Sequence, residues 1–217
     1  MLTVADKSER VLSKGFFQKW GEMAELPPRR RIRDVELMRA LAHPLRTALL
    51  TYLMSVGPRT ASECAEAVDS SASNCSWHLR QLAQWGLVER VEAADGRERP
   101  WRATPVGLEI GKPDRDPAVR AAQVAATGAW LSEDEVLTQR YLDMLDDLEP
   151  EWQDASTVNH YALRLTAAEL DELNEKIDAL VRPYTATIRK DAPAGALVVH
   201  ANWRSFPWID ASGKTNP

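Results

Sequence analysis

Ser71, Ser73, Asn74, Trp77, Arg80 and Gln81 fall on one side of a helix-forming stretch, and Arg97, Arg99 and Arg102 follow on a segment of strand character. Short hydroxyl and amide side chains on a helix can bond the edges of bases. Guanidinium groups suit phosphate oxygens, and a helix N-terminus itself favours an anion. The chemistry implied is recognition of a duplex rather than the making or breaking of bonds. Patterns that would imply catalysis are missing: there is no glycine-rich phosphate loop, no GxSxG elbow and no HExxH. Acidic pairs such as Asp146-Asp147 are adjacent along a helix and so face apart. No catalytic residue is assigned, and the chain is not expected to be an enzyme.

Other groups with chemical potential have structural readings. Cys64 and Cys75 match no Cys-x-x-Cys spacing, cannot build a disulfide framework and both fall on apolar helix positions, as small buried hydrophobes do. His43, His78, His160 and His200 are too scattered for a histidine ligand pair. No metal site and no cofactor are expected. His78 lies at the margin of a buried stripe, so structural support and DNA contact remain equally open. Trp77 lies on the outer face, where DNA, a dimer partner or the tail must account for it.

These side chains need positioning elements, and the sequence supplies them. From Asp34, apolar residues recur at helical spacing through Leu41, and again from Leu45 to Met54, with a break at Pro44 and a stop at Gly57-Pro58. Thr60-Ala-Ser-Glu63 reads as a capping box for a short helix ending near Val68. Asp69-Ser70-Ser71 is a turn and N-cap cluster opening a helix of about fifteen residues, some 22 Å long, closed by Gly86. Leu87–Ala93 alternates with period two, Asp95-Gly96 signals a tight turn, and a strand through Arg102 follows, placed at an edge by Pro100. Alternation sets Arg97 and Arg99 on one face of that strand and Arg102 on the other.

Before this unit, residues 1–33 read as an arm with an apolar and aromatic patch (Val11, Leu12, Phe16, Phe17, Trp20). Its Arg29, Arg30, Arg31 and Arg33 read as a solvated helix start. After it, Thr104-Pro105 is expected to open a helix, and a long acidic helical stretch runs from about Pro117 to Asp154, with a break near Gly128 and a new cap at Ser132. Its many apolar positions suggest a packing or dimer face. Strand-like alternation at 158–165 and 196–206, on either side of a capping box at Thr166–Glu169 and a helix to Val181, predicts a small β-α-β module. The expected class is therefore mainly α, with a winged helix-turn-helix domain at 34–112 and dimerisation helices plus the β-α-β tail at 113–217.

Charge supports a division of labour. The net charge is −5, but residues 1–116 sum to +2 and residues 117–217 to −7, and 12 of the 13 basic side chains between 29 and 112 are arginine. The front half is where phosphate contact belongs. In the acidic half, Trp130, Trp152, Trp203 and Trp208 either pack the dimer helices and tail or line an aromatic effector pocket. No apolar run is long enough for a bilayer span, and the first residues lack the apolar core of a signal peptide, so a cytoplasmic location is expected.

The runs RALAHPLRTALLTYL and SSASNCSWHLRQLAQWGLVERVEAADGRERPWRAT, with HPLR at 43–46, SxHLRxL at 76–82, GLVE at 86–89 and GRxRxWRxT at 96–104, resemble the ArsR/SmtB-like family of winged-helix transcription regulators over residues 36–110. The resemblance implies a homodimeric regulator, in the main a repressor, that reads a palindromic site in double-stranded DNA through the 71–85 helix and a wing at 87–103. A small-molecule effector, where one exists, is expected to bind among the tryptophans of the acidic half and to release DNA by shifting the spacing of the two recognition helices. The family's Cys-x-Cys metal site would fall on Thr60 and Ser62, whose hydroxyls are not soft ligands. The alternative is an effector-binding or protein-interaction module that uses the winged helix for protein contact.

Overall fold

The computed structural model describes residues 26–92 and 99–215. The patch between Val11 and Trp20, the Asp95-Gly96 turn and Arg97 lie outside them.

The fold is mainly helical, and most of its helices begin at a side chain that accepts from a free amide. After a two-residue strand β1 (Arg30–Arg31), α1 (Val35–Leu41) is capped by Asp34, whose carboxylate accepts from the Leu37 amide at 3.0 Å. Next, α2 (Pro44–Val56) uses proline at its first position, where no amide hydrogen is needed. The expected capping box is present at α3 (Ala61–Ala67): Thr60 accepts from the Glu63 amide while the Glu63 carboxylate accepts from the Thr60 amide. At α4 (Ala72–Gln84), Ser71 accepts from the Asn74 amide at 3.2 Å. Gly86 then turns the chain at φ +61°, a left-handed conformation that costs a residue with a Cβ about 1–2 kcal/mol.

The hairpin follows, β2 (Val88–Arg90) pairing antiparallel with β3 (Trp101–Ala103) in the register Val88 to Ala103, Glu89 to Arg102 and Arg90 to Trp101. One core joins these elements. Leu37, Met38 and Leu41 of α1, Leu49, Leu50 and Leu53 of α2, Cys64 of α3, Cys75, Leu79 and Leu82 of α4, and Leu87, Val88 and Trp101 of the hairpin are all buried together. At about 1.5–3 kcal/mol for each large apolar side chain removed from water, this cluster is what orients α4.

Three expectations in the flanking regions are corrected. The arginine cluster at 29–33 does not start a helix: Arg30–Arg31 pairs in parallel with β4 (Leu108–Glu109), because Ile32 is buried and pulls the run into extended backbone. Thr104-Pro105 opens no helix either. The Thr104 hydroxyl donates to the Gly86 carbonyl at 2.6 Å, which keeps the chain extended into β4. Gly128 and Ser132 do not interrupt α5 (Pro117–Asp143), which runs unbroken from its Asp116 cap. A glycine in a helix costs about 1 kcal/mol, and the alanines at 121, 122, 125, 126 and 129 offset it.

Helix α5 packs on α1 and α2 through small side chains, Ala122, Ala126 and Ala129, which let the axes approach closely. Gln123, also buried, accepts from the Asp114 amide at 2.9 Å and donates to the Lys112 carbonyl at 3.1 Å, holding the exit from the wing onto α5. Beyond Trp130 no α5 side chain is buried.

The β-α-β tail is half present. Its helix, α7 (Ala167–Val181), carries the expected Thr166–Glu169 capping box and follows a short α6 (Pro150–Ala155). Neither 158–165 nor 196–206 is a strand. Neither pairs with another strand among the described residues. Alternation of side chains makes a segment fit for a sheet but supplies no partner.

Candidate nucleic-acid interface

Helix α4 has two unlike faces. Cys75, His78, Leu79 and Leu82 are buried, whereas Ser73, Asn74, Trp77 and Arg80 are exposed and Gln81 is half-buried. Of the side chains expected on the outer face, Ser71, Ser73 and Asn74 form a polar tip at the helix start. The Ser71 and Ser73 hydroxyls are 3.2 Å apart, and the Asn74 amide donates to the Ser70 hydroxyl at 3.2 Å. Trp77 is 51% exposed, a large indole held out from the core.

His78 is not on this face. Its ring is 5% exposed, packs 4.4 Å from the ring of His43 at the start of α2 and meets the edge of Trp77 at 4.7 Å. Neither histidine Nδ1 has a hydrogen-bond partner among the described residues, nor has Arg46 Nε beside them. Burial pushes both imidazoles below their ordinary value, the neighbouring Arg46 cation lowers each further, and His43 also lowers His78. His78 thus stands behind Trp77 as a neutral support, with no surface left for a phosphate.

The wing residues are differently engaged. Arg99 is exposed, and its carbonyl accepts from the Arg90 guanidinium, which lies 4.0 Å over the Trp101 ring. Arg102 is on the opposite face and donates from Nε to Glu89 at 3.2 Å, forming an exposed ion pair across the hairpin. Glu89 therefore competes with any phosphate for that cation. Arg90 went unremarked in the sequence because strand alternation alone does not reveal that a cation will stack on Trp101.

Arg30 is the larger omission. Its guanidinium donates to the Trp85 and Gly86 carbonyls at 2.7 and 2.6 Å, closing the C-terminal end of α4 from across the fold. The signal available was indirect: α4 has no basic residue in its own last turn to meet those carbonyls.

The four tryptophans of the acidic half do not meet in ring contact among the described residues. Trp130 and Trp152 are half-buried, while Trp203 and Trp208 are exposed. Trp203 donates from its indole nitrogen to Asn174 at 2.7 Å. A shallow groove lies instead over Leu131, Glu135, Thr138 and Arg204. Cys64 and Cys75 are buried thiols. Burial, with Cys75 and Glu63 nearby, pushes Cys64 up to about 11, and burial also raises Cys75. No group of three or more metal-ligating side chains occurs among the described residues, and no helix there is long and apolar enough to cross a membrane.

Residues 41–91 match a protein family described as a helix-turn-helix domain. No curated protein matches the chain. Among solved structures, a mutant of ZitR from Lactococcus lactis is similar at 19% identity, over 82% of this chain and 99% of that one, with a TM-score of 0.28. YusO from Bacillus subtilis is similar at 17% identity over 84% and 99%, with a TM-score of 0.31. A complex of S. aureus MepR with DNA is similar at 18% identity over 66% and 99%, with a TM-score of 0.30. What those proteins bind is a property of theirs. The matched stretch of this chain, from the end of α1 through β2, is a helix-turn-helix domain, and the β2–β3 hairpin attached to it is the wing.

Proposed function

We propose that the chain is a sequence-specific DNA-binding transcription regulator, a repressor that binds a palindromic operator as a homodimer. The observation that carries this reading is the division of α4. One face is locked into the core by Cys75, Leu79 and Leu82, and the other presents Ser73, Asn74, Trp77 and Arg80 to solvent, beginning at a serine-capped N-terminus. A 13-residue helix is about 20 Å long and fits a major groove about 12 Å wide. On this reading Ser73 and Asn74 contact base edges, Arg80 and Gln81 the rim, and the wing arginines 97 and 99 phosphates, as the residue types suggest. The motifs shared with the ArsR/SmtB-like family run through the same helix and wing.

Selection from a random duplex pool, followed by fluorescence anisotropy on the selected site, tests the reading. Affinity is expected to drop on the order of a thousandfold between about 50 and 200 mM salt as counterions are released. Failure to enrich any sequence, or binding that ignores salt, removes it.

A further inference from the structure

The arginines before α1 build a surface that α4 does not use. Along β1 the side chains alternate: Ile32 is buried, and Arg30 reaches the Trp85 and Gly86 carbonyls at the end of α4. Arg29, Arg31 and Arg33 are therefore turned together to the other face. A remote part of the chain closes on that face. Asp178 of α7 pairs with Arg29, and Arg182, which ends α7, donates to the Pro27 carbonyl. The result is an open groove of about 440 Å³, lined by Pro28, these four arginines, Glu109 and Asp178. Small-molecule sites span roughly 300–1,000 Å³. The charge of the groove is unbalanced. Arg31 pairs with Glu109 at 3.0 Å and Arg29 with Asp178, which leaves two cations without a carboxylate. Arg182 spends one nitrogen on a carbonyl, and the Arg33 guanidinium has no partner among the described residues.

We propose that this groove binds a small dianion, a phosphate monoester or a dicarboxylate, whose oxygens are taken by the guanidinium groups of Arg33 and Arg182, with Arg29 and Arg31 adding to the field. Charge fixes the class: two uncompensated cations match a ligand of about two negative charges, as a phosphate monoester carries near pH 7. Guanidinium suits either oxyanion because its planar fork takes two oxygens at once. The paired arginines stay available. Their ion pairs have side chains 36–56% exposed, and pairs so open to water are weak enough to yield to a competing anion. The ligand is a free molecule rather than the duplex read by the serine tip. β1 meets α4 at Gly86, about 20 Å along the helix from Ser71, and the groove is on the far face of that strand. One short strand thus holds the ligand on its outer side and the end of α4 on its inner side. The site goes beyond the regulator reading and does not depend on it.

The test uses the full chain without DNA. Titration calorimetry at low salt, where charge is least screened, takes glycerol phosphate and succinate as probes and acetate at matched ionic strength as control. One site is expected for at least one of the dianions, and the one that binds names the class. Arg33→Ala and Arg182→Ala are each expected to weaken binding about tenfold, the loss of one charge-assisted hydrogen bond, and the double substitution to remove it. Arg33 has no partner to lose among the described residues, so its effect reports on the ligand and not on the fold. Arg120→Ala, at an exposed arginine of α5 outside the groove, is expected to change nothing. No heat from either dianion overturns the proposal. So does acetate binding as tightly, a site indifferent to Arg33→Ala or Arg182→Ala, or an equal loss in Arg120→Ala. DNA affinity, measured separately, reports on the regulator reading alone.

Discussion

The guanidinium of Arg30 lies 2.6 Å from the carbonyl oxygen of Gly86, joining the strand before the first helix to the residue that ends α4. A second bond to Trp85 makes the contact two-pronged. Hydrogen bonds to a charged group are worth about 1.5–3 kcal/mol when dry and less here, where the group is partly solvated. Arg30→Ala is expected to lower stability by about 1–2 kcal/mol in a urea titration, with Arg30→Lys between it and the parent. An unchanged midpoint would mean that Thr104 alone holds the turn.

The ion pair of Arg102 with Glu89 makes the wing cations unequal. Arg99→Ala should weaken binding to all duplexes alike, whereas Arg102→Ala should cost less, since its cation is already partnered. Glu89→Gln should tighten binding severalfold and steepen its salt dependence by freeing Arg102. Anisotropy at two salt concentrations reads all three, and a weaker-binding Glu89→Gln would place that face of the wing away from DNA.

Asn74 and Arg80 should separate base reading from phosphate contact. Asn74→Ala is expected to relax preference at one base position with a loss of about 1–3 kcal/mol on the selected site and little on others. Arg80→Ala should weaken every site and reduce the salt slope by about one. If both leave binding intact, α4 does not enter the groove.

The buried histidine pair predicts acid sensitivity. Both imidazoles titrate below 6.5 in the fold because burial and Arg46 disfavour the cation, whereas the unfolded chain protonates near 6.5. Stability attached to the pair is therefore complete above that value and is lost as pH falls through it towards the folded pKa. Thermal unfolding should show Tm dropping by several degrees from pH 7 to pH 5.5, and less steeply in His78→Gln. Equal slopes would assign the acid response to other groups.

Neither cysteine should react. With Cys64 near 11 and Cys75 raised as well, both buried, the thiolate fraction at pH 8 is small and shielded. A thiol-disulfide reagent should count no thiols in the folded chain and two in guanidinium. Rapid labelling of the native protein would contradict the burial.

The helix-turn-helix unit could be read from residue types because its signals are local. Thr60 and Glu63 need only each other, Ser71 needs only the amide of Asn74, and Gly86 needs only its own torsion angle. Trp77 could be placed outside and Cys75 inside by periodicity alone. What escaped depended on distant partners. Arg30 resembles any other arginine in its cluster until Gly86 comes within reach, and Gln123 gives no sign of the wing exit it holds. The tail showed the reverse failure: alternation at 158–165 was correctly seen, but a strand is a relationship between two segments, and no second segment pairs with it among the described residues.

Helix α5 bears two kinds of residue environment along one continuous axis. Its buried side chains all lie between Ala122 and Ala129, and from Leu131 onward its side chains are at most half-buried. Hydrogen exchange should therefore split a helix with no structural break into two protection classes. Amides up to about Trp130 would open only with the global unfolding of the helix-turn-helix core, and those beyond it would open on their own at much lower free energy.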